Sequence, residues 1–173
     1  YARHYPAINW TTSYSEYIED LREFYDREAG QDFLKYRQEI SNILTTENQL
    51  MEIVKLIGSD VLPDDQKLII ELARVVRVGF LQQNAYHKDD TFVPLKKQLL
   101  MMETILALYH GAQSALECGA SMSEIMQSGL IEKVIKMKYD IPNDKPEMFS
   151  KYQEEINSAF EKIKAENYEG DAV

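Results

Sequence analysis

The sequence predicts an all-α fold, a single multi-helix bundle domain of about six to eight helices. Three observations predict it. Apolar residues recur at helical spacing along most of the chain, and no stretch alternates convincingly with a period of two. Ser, Thr, Asp, Pro and Gly stand where helices start and stop. The 173 residues, 45% of them hydrophobic, suffice for one domain with its own core.

In chain order, residues 1–12 read as an extended lead-in, because Pro6 disfavours helix at Tyr5. Residues 13–167 form the helical domain, and 168–173 a polar tail expected to fray. Ser13 to Glu16 is a capping-box pattern, after which Tyr14, Ile18, Leu21 and Tyr25 mark a helix ended by Ala29-Gly30. Asp32 is placed to cap the next helix, with Phe33, Tyr36, Ile40 and Ile43 inside it. Thr46 to Gln49 spells a further capping box, or a small irregularity within one longer helix that reaches Gly58. A turn follows at 59–62. Pro63, Asp64 and Asp65 suit a first helical turn, where no N–H is needed and the helix dipole favours negative charge. Leu68, Leu72, Val75, Val76, Gly79 and Phe80 form the apolar stripe of that helix. Gly79 costs roughly 1 kcal/mol against Ala, so it either admits another backbone or loosens the helix before the loop at 84–93. From 95 to 116 runs a helix apolar over a wide arc, predicted to be central. Ser121 to Glu124 caps a short helix that stops near Gly129. Leu130, Val134 and Met137 mark another, and Pro142 and Pro146 bracket a turn. Phe149, Tyr152, Ile156, Phe160 and Ile163 define the last helix.

The net charge of −10 argues against nucleic acid or an anionic membrane surface as a partner, apart from a local basic surface around Lys133, Lys136 and Lys138. The single Cys118 allows no internal disulfide and no zinc cluster. No apolar run approaches the length of a membrane span, and no signal peptide is present. The chain starts at Tyr1 without an initiator Met, the expectation being a piece cut from a longer protein, or processing.

Chemistry is scarce. No glycine opens a phosphate loop of the form GxxxxGK followed by Ser or Thr. His4, His87 and His110 are scattered, and neither HExxH nor CxxC occurs, so no metal site is expected. The carboxylate pairs Asp64-Asp65 and Asp89-Asp90 read as a helix cap and a solvated turn. Met101 and Met102 read as core filling, Cys118 as a small residue near a helix end, and His110 as a packed or capping side chain. The amides Gln82, Gln83 and Asn84, between Phe80 and Tyr86, have the donors and acceptors to line the edge of a base, with aromatics to stack on its face. A frayed helix end whose amides cap free carbonyls would look the same.

HYPAINW, SYSEY, EIVKLIGSDVLPDDQ, FLQQNAYHKDDTF and LKKQLLM together resemble the C-terminal helical domain of the catalytic A subunit of archaeal and bacterial A-type (V-type) rotary ATPases. The resemblance runs from Tyr5 through MKYDIP and weakens after Asn143. A fainter similarity to the β subunit of F-type ATP synthase appears in LIGSDVLPDDQ. The resemblance implies that the phosphate loop, the catalytic groups and most contacts to ATP or ADP with Mg2+ belong to a nucleotide-binding domain N-terminal to this one. No catalytic residue, metal or cofactor is then expected in this fragment, which alone should not hydrolyse ATP. It implies that Phe80, Gln82, Gln83, Asn84, Ala85 and Tyr86 border the adenine. It also implies that Ser59, Asp60, Val61, Leu62, Pro63, Asp64 and Asp65 face the central rotor stalk. One straight helix of about twenty residues, roughly 30 Å long, would link the two. Tyr86, where Phe is commoner, keeps the ring face and adds a hydroxyl; Lys88 and Val93 also depart from the commonest pattern. The implied partners are non-catalytic B subunits in an alternating A3B3 ring and the rotor stalk. The implied setting is the cytoplasmic, membrane-peripheral head of a proton- or sodium-translocating ATPase. The competing class is an all-α interaction module with no nucleotide role. Nothing in that class calls for FLQQNAY and GSDVLPDDQ at opposite ends of one helix.

Overall fold

A computed structural model of the chain describes residues 18–82, 87 and 92–170. Among these are seven α-helices and one π-helical segment, with no strand. They are α1 (Ile18–Glu28), α2 (Phe33–Ile57), α3 (Asp64–Arg74), the π segment (Val75–Leu81), α4 (Leu95–Glu117), α5 (Met122–Gln127), α6 (Leu130–Asp140) and α7 (Met148–Gly170).

As its wide apolar arc predicts, α4 is the centre. Leu99, Met101, Met102, Ile105, Leu106, Leu108, Ala112 and Ala115 are all buried in the single core cluster. α7 lies along one side of it, α2 and α3 along another, and α6 along a third. The α4–α7 approach is close because Gly111 has no side chain. A Cβ there would lie 2.4 Å from Phe160 Cδ2.

The helix boundaries follow the punctuation in the sequence, with instructive exceptions. Asp32 precedes α2, but it does so in the left-handed region at φ 72 and makes no capping bond from its side chain. Gly30, at φ 123, and Asp32 together form a tight corner in which the Ala29 and Gly30 N–H groups both donate to Tyr25 O. Asp tolerates that conformation better than most residues. The run 46–49 starts no new helix. α2 passes through it, Thr45 Oγ1 donates to Ser41 O, and Glu47 turns to Arg77 of the π segment. The box at Ser121 is real: Glu124 N–H donates to Ser121 Oγ at 3.2 Å, and Ser121 N–H donates to Glu124 Oε2 at 2.6 Å. α7 continues to Gly170, past the point where a frayed tail was expected to begin at Tyr168. Residues 171–173, the lead-in at 1–12 and the box at Ser13 lie outside the described residues.

The basic surface expected at Lys133, Lys136 and Lys138 does not form. Lys138 is buried, and Lys133 pairs with Glu155 over the Tyr152 ring; Lys136 is the exposed one. The same contacts staple α6 to α7. There burial, then the charge of Asp140, pushes the Tyr152 phenol well above its ordinary value, while Lys133 holds the Glu155 carboxyl below its own.

Candidate functional site: a braced lever with two ends

The helix that carries both predicted sites begins at Asp64, with Pro63 just outside it at φ −65. It is α-helical for 11 residues and π-helical for the next 7. The expectation of one straight α-helix of about 30 Å is therefore corrected. Eighteen residues at α-helical rise give at most about 27 Å, and the change of hydrogen-bond pattern at Val75 shifts the register of all that follows. Gly79 sits in the π segment with its Cα facing α6. A Cβ there would be 3.0 Å from Ile135 Cα and 3.2 Å from Ile135 O. Both roles proposed for this glycine hold: it admits a neighbouring backbone, and the helix around it is loosened from α to π.

This helix is braced along its length by the chain between 122 and 138. At its start, Asp64 Oδ2 accepts the Met122 N–H at 2.8 Å, which caps α5 across the fold. At its middle, Arg74 bridges Glu71 and Glu132, at 2.9 and 2.8 Å. Ile135 fills the notch at Gly79. At its end, Lys138 Nζ donates to Gln82 O at 2.7 Å. On the opposite side, the Arg77 guanidinium takes the nearly buried Glu47 carboxylate in two bonds, one of 3.0 Å. α4 also packs against α3, but the closest support of the distal half comes from α6.

At the turn end, Ser59, Asp60, Val61, Pro63 and Asp65 are exposed, and Asp64 is half-buried by its bond to α5. Leu62 is buried. Its N–H donates to Ser59 O. Beside the turn, the last part of α2 exposes Ile53 (42%), Leu56 (84%) and Ile57 (61%), next to Val61 (59%). Ile53, Leu56 and Ile57 share one face of α2 by helical spacing, and Val61 follows four residues later in the acidic turn. Reading the turn alone does not bring in Ile53 and Leu56. The signal was available: Leu56 lies off the stripe of Leu50, Val54 and Ile57, so the apolar residues near the C-terminus of α2 cover too wide an arc for one buried face.

At the loop end, Phe80 is half-buried against the core and Gln82 is half-buried in extended conformation, its N–H donating to Arg77 O. Gln83, Asn84, Ala85 and Tyr86 lie outside the described residues. His87 meets the Tyr139 ring edge-on, with centroids 4.6 Å apart. Phe92 is exposed, and its carbonyl accepts from Asn143 Nδ2 at 3.0 Å. Lys97, 2% exposed, is buried beneath this end. Its Nζ donates to Lys138 O, Ile141 O and Asn143 Oδ1, which satisfies the C-terminus of α6.

Elsewhere, a polar cleft of about 460 Å³ lies between α1 and α2, and one of about 200 Å³ between α2 and Tyr109. Neither is lined by a predicted site residue. His110, expected to be packed or capping, is exposed and 3.6 Å from Glu39. Cys118 is half-buried at the end of α4, and Met101 and Met102 are fully buried, as read from sequence. Among the described residues there is no cluster of His, Cys, Asp and Glu that could hold a metal, and no helix is long and apolar enough to cross a membrane.

Residues 22–126 match the family model described as the C-terminal domain of V and A type ATP synthase. Over 163 residues the chain is 47% identical to the V-type ATP synthase alpha chain 2 of Clostridium tetani, covering 94% of this chain and 28% of that protein. It is 42% identical to the V-type ATP synthase alpha chain of Halothermothrix orenii over 97% of this chain and 28% of the relative. It is 41% identical to the A subunit of the A-type ATP synthase of Methanopyrus kandleri over 93% of this chain and 27% of the relative. The chain thus spans just over a quarter of the length of these relatives.

Proposed function

From the premise that the chain belongs to the family of C-terminal domains of V and A type ATP synthases, we propose that it works as a lever between a nucleotide and a rotor. In the whole protein, the nucleotide-binding domain supplies the phosphate loop, the catalytic groups and the Mg2+ site of an ion-translocating ATPase or ATP synthase. This domain supplies the base side. Phe80 and Tyr86 border the adenine, and Gln82, Gln83, Asn84 and Ala85 shape its edge through their amide and backbone groups. At the opposite end, the turn from Ser59 to Asp65 meets the central stalk. Ser59, Asp60 and Val61 make the contact together with Ile53, Leu56 and Ile57, and Leu62 and Asp64 hold the turn in shape. Closure of the nucleotide-binding domain on ATP carries the lever as a rigid body, so that binding energy biases a two-state motion at the stalk. Alternation with non-catalytic subunits in a ring, and a place in the cytoplasmic head of the complex, complete the proposal.

The observation that carries it is one braced helix with an exposed acidic turn, beside the exposed apolar residues of α2, at one end and Phe80 and Gln82 at the other. The test uses the assembled complex. Tyr86→Ala should weaken nucleotide binding by about 1–3 kcal/mol through lost stacking. The double variant Leu56→Ser with Val61→Asp should leave binding unchanged and uncouple hydrolysis from ion transport. Unchanged affinity in the first variant, or lost affinity with intact coupling in the second, would sink the lever reading.

A further inference from the structure

We propose that Arg77 is a positioning residue: its ion pair with Glu47 of α2, together with the fit of Gly79 against α6, holds residues 75–81 in π-helical register and so sets where Phe80 and Gln82 leave the helix. For the use made of Phe80 the inference rests on the proposed base-side role; for the register it rests on described contacts alone. Nothing local asks for the π register. Val75, Val76 and Val78 are β-branched and have no bias toward bonds five residues apart, and π turns are rare, mostly single turns set into α-helices at functional sites. The Gln82 N–H nevertheless donates to Arg77 O, five residues back, at 2.8 Å. Arg77 thus accepts the bond that closes the segment through its carbonyl while its guanidinium grips α2. Nη1 donates to Glu47 Oε1 at 3.0 Å, and Nη2 donates to Oε2.

The alternative register shows what the two contacts do. A π turn holds about one residue more than an α turn. A return to α bonds at Val75 would therefore rotate each later residue by roughly 100°, into the place its successor holds now. Val76 would then face the Glu47 carboxylate, which is 6% exposed and would lose the guanidinium that now pairs with it. A buried carboxylate without a partner is strongly disfavoured. Val78, exposed in the π register, would turn into the notch that Gly79 now fills. Even a lone Cβ in that notch would stand 3.0 Å from Ile135 Cα and 3.2 Å from Ile135 O, so a valine does not fit. α2 and α6 therefore exclude the α register from opposite sides of the segment. The α6 side of this clamp is backbone; the α2 side is one pair of side chains, and it can be removed by substitution.

The experiment is hydrogen exchange read by mass spectrometry on the assembled complex, with the KM for ATP measured alongside. Peptides covering 75–82 report on the segment, and peptides from the buried part of α4 at 101–108 serve as reference. Arg77→Met removes the pair and leaves Glu47 alone. The double variant Glu47→Leu with Arg77→Met replaces the pair by apolar groups, a change that costs little stability in itself. Both variants should exchange about tenfold faster at 75–82 with the α4 peptides unchanged, the scale of a charged hydrogen bond lost from a local opening. The swap Glu47→Arg with Arg77→Glu should return exchange toward the parent. In the double variant KM for ATP should rise about tenfold with kcat kept, the effect of moving an aromatic ring off a base. A pair that only adds stability would leave the double variant like the parent or speed both sets of peptides together, and either result overturns the proposal. Faster exchange at 75–82 with an unchanged KM leaves the register as proposed and sinks the base-side role of Phe80, which Phe80→Ala checks separately. Should Arg77→Met not assemble, the double variant decides.

Discussion

The two ends of the lever are built in opposite ways. At the loop end, buried lysines and an asparagine grip backbone carbonyls, and α6 presses its own backbone against Gly79. At the turn end, one carboxylate, Asp64, ties the turn to α5, Leu62 is buried, and the neighbouring apolar side chains face solvent. A region held by internal bonds has its position set by the domain itself. A region that leaves Leu56 84% exposed keeps apolar surface open to solvent. The same helix thus joins an end gripped by bonds among the described residues to an end whose neighbouring apolar side chains face solvent.

The comparison breaks first if the loop end is not held as described. Lys97→Met keeps the apolar stem and removes the ammonium that satisfies three acceptors beneath α6. Leaving buried acceptors unpaired should cost on the order of 3 kcal/mol, read as a lowered urea midpoint at unchanged m-value. A loss below about 1 kcal/mol would mean that the grip is dispensable and that the two ends are alike.

Much of this molecule was legible because helices are local. The apolar stripes at 68–80 and 95–116, Gly58, Gly119, and the Ser121 box each declare themselves within a few residues, and the structure uses them as read. What could not be read depends on partners distant in sequence. Thr46 to Gln49 has the letters of a capping box, but Glu47 is claimed by Arg77, thirty residues away. Lys138 reads as a surface charge until Gln82 O, fifty-six residues away, is placed beside it. The π-helical register at Val75 has no letter code of its own; Gly79 hints at it only as a weak point in the helix. The turn and loop were singled out as candidate sites through resemblance, while the exposure of Ile53 and Leu56 came into view once the buried face of α2 was known.

A smaller effect sharpens the contrast within the turn end itself. Asp64→Ala removes the acceptor of the Met122 N–H and should lower stability by about 1 kcal/mol, the usual cost of losing a helix N-terminal cap. Leu56→Ser, eight residues earlier, takes an exposed side chain away from water and touches no core residue, so it should change stability by less than about 0.5 kcal/mol. Chemical denaturation of both variants checks the pair. Equal losses would mean that Leu56 is already covered within the chain and is no contact face.

The smallest expected effect concerns acid. The box that starts α5, and so supports Asp64, depends on the Glu124 carboxylate. The Ser121 N–H, then Asn167, hold that group below its ordinary value of 4.5. A carboxylate depressed in the folded state contributes stability that is fully present above its unfolded pKa and is lost as pH falls through the folded value. Lowering the pH from just above 4.5 should therefore loosen the start of α5. Hydrogen exchange would show this as a loss of protection at Met122 and Glu124 as the pH falls through that window. Glu124→Gln keeps a side chain able to complete the box but removes the titrating charge, so the early loss at α5 should become independent of pH in that window. Exchange at α5 that stays equally pH-dependent in the Gln variant would show that another carboxylate governs this end.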